Sequence, residues 1–430
     1  MQTRHRLPLI SLFVFTTLLF ANAGIVLAQH EPASGGGTIG GGSTSTGRPS
    51  NKPANKPANR PTSTSTKPTT RGTPSSTSTT GNRPTSTSGN RPASTSGNRP
   101  TSTSGNRPTS NNSAADSYYA QGEALYNQQK YKEALDFYLK AAEANPSKAD
   151  ALYRIGWIYN DLEDYEQALD YLKRVTSMQP NNAAALFELG YANKKLAQYD
   201  DALRAFQQTV RVKPDYASAY YQIGWIYNDQ KNYDDAVSNL KLALQYKSTY
   251  PEAHNELGYA YRNLGRYSEA IEEYQEAIRI KPDMALAHLG LGDVYYYNTK
   301  QYTEAAKSYK RGLDLKPDNA TAFYNLAWCY NDMERYSEAI EALRNAVRLQ
   351  PEYPEAHNEY GYALHQLRRY NEAVQEYHTA ISQKPNYPSA HYNLGMSFIA
   401  LNNRQAAMEQ YRILQRIDSA RATKLFNQIK

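Results

Sequence analysis

Cysteine is almost missing from this chain: Cys329 stands alone among 430 residues, so no intrachain disulfide can staple the fold. A large apolar core must hold it instead. Tryptophan is scarce too, with three against 38 tyrosines. Acid is absent before Asp116 except for Glu31. The chain also shows no nucleophile–base pair, no phosphate-binding loop and no metal-ligand spacing. No catalytic residue, cofactor or metal is therefore expected.

What is present falls into three zones. Residues 1–28 begin with Arg4, His5 and Arg6 and continue as an uncharged apolar run, Leu7 to Ala28. Val26-Leu27-Ala28 and Ala21-Asn22-Ala23 each offer small-residue cleavage patterns, which reads as an export signal. The run is also just long enough to serve as an uncleaved anchor. Either way, an exported (periplasmic, cell-surface or secreted) body is expected. Residues 29–114 are Gly, Ser, Thr, Pro and Asn with spaced cations, including the octads GNRPTSTS and GNRPASTS. So little apolar area cannot offset the entropy of ordering, so a disordered linker is expected there. The linker carries ten basic residues against one acid, whereas residues 115–430 carry 36 against 40. The net charge of +7 thus belongs to the tail and not to the body. Regular cations suit a tether for an anionic envelope polymer or a glycosylated stalk. No aromatics interleave with them, so specific nucleic-acid binding is not expected.

The third zone is periodic. Prolines fall at 146, 180, 214, 282, 317, 351 and 385, a step of 34 residues with one step of 35, and Ser248 fills the gap. Small residues keep the same beat at Gly122, Gly156, Gly190, Gly224, Gly258, Gly292, Ala327, Gly361 and Gly395. Alanines follow at 134, 168, 202, 236, 270, 305, 339, 373 and 407. Numbering each unit so that the small residue is position 8, positions 4, 7, 8 and 11 form one helical stripe. Alanine at 20 and an aromatic at 24 form a facing stripe on a second helix. Proline at 32 ends that helix. Residues 254–282 show the pattern well: His254, Leu257, Gly258, Tyr261, Ala270, Tyr274, Ala277, Pro282.

Those residues resemble the tetratricopeptide repeat (TPR) family over residues 115–419, with mild departures at Ala327, Gln121, Ser248 and one inserted residue in the 293–301 turn. The resemblance implies an all-α, right-handed α-solenoid of nine helix-turn-helix units. A capping helix would follow over 420–430, where Ser419 or Asp418 can start it and Leu425, Phe426 and Ile429 can cover the last repeat.

The resemblance also assigns positions 2, 5, 9, 12 and 13 of each first helix to a concave groove where partners bind. The three tryptophans share position 9, in the phrases GWIYNDLEDY, GWIYNDQKNY and AWCYNDMERY. Their units supply Tyr153, Trp157, Asn160 and Asp161; Tyr221, Trp225, Asn228 and Asp229; and Tyr324, Trp328, Asn331 and Asp332. The units that follow them supply Tyr191 and Lys194; Asn255, Tyr259 and Arg262; and Asn358 and Tyr362. Tyr296 comes from the sixth unit. Aromatics on a face that packing does not require suit a binding surface. The plainer alternative is that position-9 rings pack on a neighbouring unit. His254, His288, His357 and His391 sit at position 4, one per repeat, as core residues and not a metal set. The expectation is a non-catalytic scaffold that binds an extended protein segment at the cell envelope. Carbohydrate or cell-wall-polymer binding by the same groove is the second reading.

Overall fold

The structure, a computed structural model, describes residues 109–430. The expected signal or anchor at 1–28, and the linker up to residue 108, lie outside the described residues. Every described element is a helix. Each repeat contributes a first helix, A, and a second, B. The A helices are Thr109–Tyr126, Ala149–Asp161, Ala183–Lys195, Ala217–Asp229, Pro251–Asn263, Ala285–Asp293, Ala320–Asp332, Pro354–Gln366 and Pro388–Ala400. The B helices are Tyr131–Ala144, Tyr165–Met178, Tyr199–Val212, Tyr233–Tyr246, Tyr267–Ile280, Tyr302–Leu315, Tyr336–Leu349, Tyr370–Gln383 and Arg404–Ile417. The array is the expected right-handed α-solenoid, closed by Ser419–Ile429.

Local chemistry sets these boundaries. Asn182, Asn319 and Asn403 accept the N–H three residues on, satisfying an orphan donor of the first turn. Pro251, Pro354 and Pro388 open their helices, where a missing N–H costs nothing. Each A helix ends on a left-handed residue: Gln129, Glu163, Ala197, Lys231, Gly265, Lys300, Glu334, Arg368 and Asn402. The next N–H then reaches back, as Asn232 does to the Tyr227 carbonyl at 2.8 Å. Gly265 and Asn402 have the residue types that this conformation favours.

The inserted residue of the sixth repeat has a definite place. It is absorbed by a π-helical turn, Val294–Asn298, where the Thr299 N–H reaches Val294 O at 3.1 Å. An extra residue inside a helix is accommodated this way at modest cost.

The core lies between A and B within each repeat and between successive repeats. The position-20 alanines are fully buried, and position 24 fills the space over the position-8 glycines except at Gly395, which Leu425 of the last helix covers. A Cβ added to Gly361 would stand 2.6 Å from a Tyr377 ring carbon, so only glycine lets that ring lie flat on the A helix. Cys329 is buried in this core as a small hydrophobe. The position-4 histidines are engaged on the packing face: His254 Nε2 meets Ser248 O at 3.1 Å, and His288, His357 and His391 do the same to Pro282, Pro351 and Pro385. At the end of the array Asp418 caps the last helix, whose Leu425 and Ile429 are buried while Phe426 stacks on Tyr411 at 5.0 Å. Neighbouring A helices touch one another across several repeat junctions, whereas B helices make no comparable contact with each other. The A row is therefore the inner row of the superhelix.

Candidate functional site

The inner row carries the expected groove residues, and they are laid out by a rule of the array. Position 12 of one repeat reaches position 6 of the next, 28 residues on. The Asn160 amide donates to the Glu188 carbonyl at 3.1 Å and to its carboxylate at 2.9 Å. Asn228 repeats this on Glu256 at 3.0 and 2.9 Å, and Asn331 on the Glu359 carboxylate at 3.3 Å. Lys194 donates to Gln222 at 2.7 Å, and the Tyr297 hydroxyl to Asn325 at 2.9 Å. Tyr297 holds this slot because the π turn shifts the register by one residue.

Asn160, Asn228, Asn255, Asn331, Asn358, Tyr296 and Tyr324 are buried, so they brace repeat junctions more than they face solvent. The reason is the close approach of the A helices, which covers short side chains at the junction. Tyr153, Trp157, Tyr191, Tyr221, Trp225, Tyr259, Trp328 and Tyr362 are half-buried, with part of each ring open. Asp161, Asp229 and Asp332 are exposed at the ends of their helices. Arg262 pairs with Asp293 at 2.5 Å, and Asp293 also accepts the Tyr309 hydroxyl at 2.7 Å. Asp332 accepts the Tyr296 hydroxyl at 2.7 Å.

The position-9 rings pack across junctions and line the row at once. Trp157 meets Tyr126 and Tyr131 edge-on at 5.3 and 5.5 Å. Trp225 meets Tyr199 at 6.4 Å, and Trp328 meets Tyr296 at 5.9 Å. Tyr165–Tyr191, Tyr233–Tyr259 and Tyr336–Tyr362 continue the series at 6.2 to 6.4 Å. The sequence reading missed the position-17 tyrosines that form the other half of these pairs. It also missed Tyr216, Tyr250 and Tyr353 at position 34, which lie 5.0 to 5.1 Å from the position-5 rings of Phe187, Tyr221 and Tyr324. The glutamates at position 6 escaped it as well. All recur on the repeat beat, which is the signal that could have found them.

The electrostatics of the row are unusual for an inner face. Burial raises the carboxyls of Glu188 and Glu256 above their ordinary range despite the asparagine amides, and pushes Glu359 up to about 7. Burial likewise lowers Lys194 to about 8, against the pull of Glu256. Among the described residues, the buried side-chain polar atoms without a hydrogen-bond partner are Asn160 Oδ1, Asn228 Oδ1, Asn255 Oδ1, Asn331 Oδ1, Tyr259 OH and Trp328 Nε1. All six belong to the inner row.

Helix pairs stacked at a fixed period around such an inner row define an α-solenoid of the kind that presents an extended groove. Sequence models described as TPR repeat match residues 224–265, 258–299 and 361–402. Others described as tetratricopeptide repeat match 159–223 and 299–359, and 110–149 and 119–183. The chain belongs to the tetratricopeptide repeat family, whose repeats support protein-interaction scaffolds in general. Similar solved structures include YrrB, titled a TPR protein with an unusual peptide-binding site, at 23% identity over 44% of this chain and 97% of that one, TM-score 0.42. PilF of Pseudomonas aeruginosa matches at 22% over 49% and 97%, TM-score 0.43. The C-terminal part of a TPR repeat-containing protein from Cytophaga hutchinsonii matches at 19% over 56% and 98%, TM-score 0.46. No curated protein matches the sequence.

Proposed function

We propose that this chain is a non-catalytic scaffold that holds an extended protein segment along its inner row. The observation that carries this reading is the location of the unpartnered atoms. A buried polar group left without a partner costs about 1–3 kcal/mol. Asn160, Asn228, Asn255, Tyr259, Trp328 and Asn331 gather it on the inner row. An extended segment brings an N–H and a C=O at every residue, the donors and acceptors these groups lack. The apolar run at 1–28 supports an envelope location for the assembly.

The test is a titration of the full chain with extended peptides and, separately, with glycan and cell-wall fragments, read by tryptophan emission. Peptide binding should shift the emission. Trp225→Ala should weaken that binding by about 2 kcal/mol or more. Trp225 also packs against the Phe206–Ile223 core, so the same variant melts somewhat earlier. Emission that answers to glycans and not to peptides would replace this reading with carbohydrate binding.

A further inference from the structure

The inner row contains two recesses of the same build, and each lacks something specific. In the first, Glu188 accepts the Asn160 amide and lies near enough to Tyr153 and Tyr216 for its charge to raise their phenols further, beyond the effect of burial. In the second, Glu359 accepts the Asn331 amide on one oxygen and the Asn358 amide at 3.2 Å on the other, and acts in the same way on Tyr324 and Tyr387. Among the described residues neither carboxylate forms an ion pair, although 14 other such pairs occur. Beside each stands an asparagine oxygen, Asn160 Oδ1 or Asn331 Oδ1, on a residue no more than 8% exposed and with no donor. Both recesses are thus rich in acceptors and π faces and short of donors.

Between them the chain shows what fills such a place. The second copy, at Asn228 and Glu256, has a cation of its own. Lys194 Nζ stands 3.6 Å from the Trp225 ring centroid, with Glu256 and Asp229 near enough to favour its charge. An ammonium over an aromatic face beside a carboxylate gains from both. At the corresponding position the first copy has Tyr126 and the third has Tyr297, neither of which carries a charge.

We propose that the recesses at Glu188 and Glu359 each take up a lysine or arginine side chain, so that the partner held along the row is a basic extended segment. This rests on the groove reading above and adds the partner's chemistry to it. A guanidinium or ammonium supplies only donors, which is what a carboxylate beside an unpartnered amide oxygen accepts. It also stacks on the tyrosines. An acidic segment would meet two unpaired carboxylates.

The experiment titrates the full chain with three 20-residue peptides, read by tryptophan emission and calorimetry. One alternates arginine with serine and glycine, the second carries glutamine for every arginine, and the third glutamate. The arginine peptide should bind at least tenfold more tightly than the glutamine peptide, and the margin should shrink as salt rises. In the double variant Glu188→Gln, Glu359→Gln that margin should disappear, and a cooperative helical melt of the variant shows that the array still folds. Equal binding of arginine and glutamine peptides, a margin that survives in the double variant, or preference for the glutamate peptide would each overturn the basic partner and leave the groove reading standing. Binding of the arginine peptide that leaves emission unchanged and persists in Trp225→Ala would put the site elsewhere and overturn both.

Discussion

Lys194 Nζ rests 3.6 Å from the centroid of the Trp225 ring, a cation of one repeat laid on the indole of the next. The same amine donates to Gln222 at 2.7 Å. This contact joins the third and fourth repeats at the middle of the inner row. Burial lowers the amine to about 8, from an ordinary 10.5.

The first prediction follows from that contact. Raising pH through 8 removes the charge from over the Trp225 ring, so tryptophan emission should show a step with its midpoint near pH 8. Lys194→Met should abolish the step. The stability sign is also set: the folded state sheds this proton more readily than the unfolded chain. The cost of burying the charge is present in full below about pH 8 and fades toward 10.5. An emission profile identical in both proteins would contradict this.

Glu359 gives a trend of the opposite sign. Its carboxyl is pushed up from 4.5 to about 7, so the folded state holds a proton that the unfolded chain has lost between those values. Stability must then fall as pH rises through that window. His254 and His357 reinforce the trend above 6.5. Burial opposes their charge, but Glu273 and Glu376 outweigh it and raise both imidazoles, so their contribution is lost on passing their folded values. Glu359→Gln keeps an acceptor for the Asn331 amide, gives up the 3.2 Å bond from Asn358 and removes the charge. The variant should be about 1–2 kcal/mol more stable than the parent at pH 8, less than the full shift implies because water reaches the groove. Near pH 4 the two should converge. Thermal melts across pH 4–8 decide it, and a variant that is less stable at pH 8 would refute the assignment.

The Asn228–Glu256 rung can be weighed directly. Asn228→Ala removes bonds of 3.0 and 2.9 Å and should cost about 1–2 kcal/mol. Asn228→Asp sets a second carboxylate against Glu256 and should cost more at pH 8, with the gap closing at pH 5 as protons return. Urea denaturation of both variants gives the order. Alanine proving the worse of the two at pH 8 would mean that the rung is not read correctly.

The turns between A and B helices offer stabilisation. Lys231 holds φ 61°, a left-handed conformation that glycine adopts at less cost. Lys231→Gly should raise stability by about 0.5–1 kcal/mol. At Gly265, φ 75°, the reverse change to alanine should lower it by a similar amount. Opposite signs at these two equivalent positions, measured by denaturant midpoint, are the expected outcome.

The sequence by itself determined the repeat. A beat of Gly156, Ala168 and Pro180, renewed every 34 residues, leaves few arrangements other than stacked helix pairs. That pattern is local: helix periodicity, helix-ending proline and a glycine where two backbones meet are all written within one unit. The placing of Trp157, Trp225 and Trp328 on the inner row came instead from the family resemblance, which assigns position 9 there. What the sequence did not show is how units meet. Whether Asn160 faces water or Glu188 depends on the rotation between one repeat and the next, which no single unit encodes. The same holds for Lys194, which reads as a groove cation but spends its charge on Trp225 of its neighbour. Even the inserted residue near 295 became informative only in three dimensions, where the π turn moved Tyr297 into the rung. Stacking decides burial, burial decides the charge state of Glu359 and Lys194, and so the chemistry of the inner row belongs to the tertiary structure.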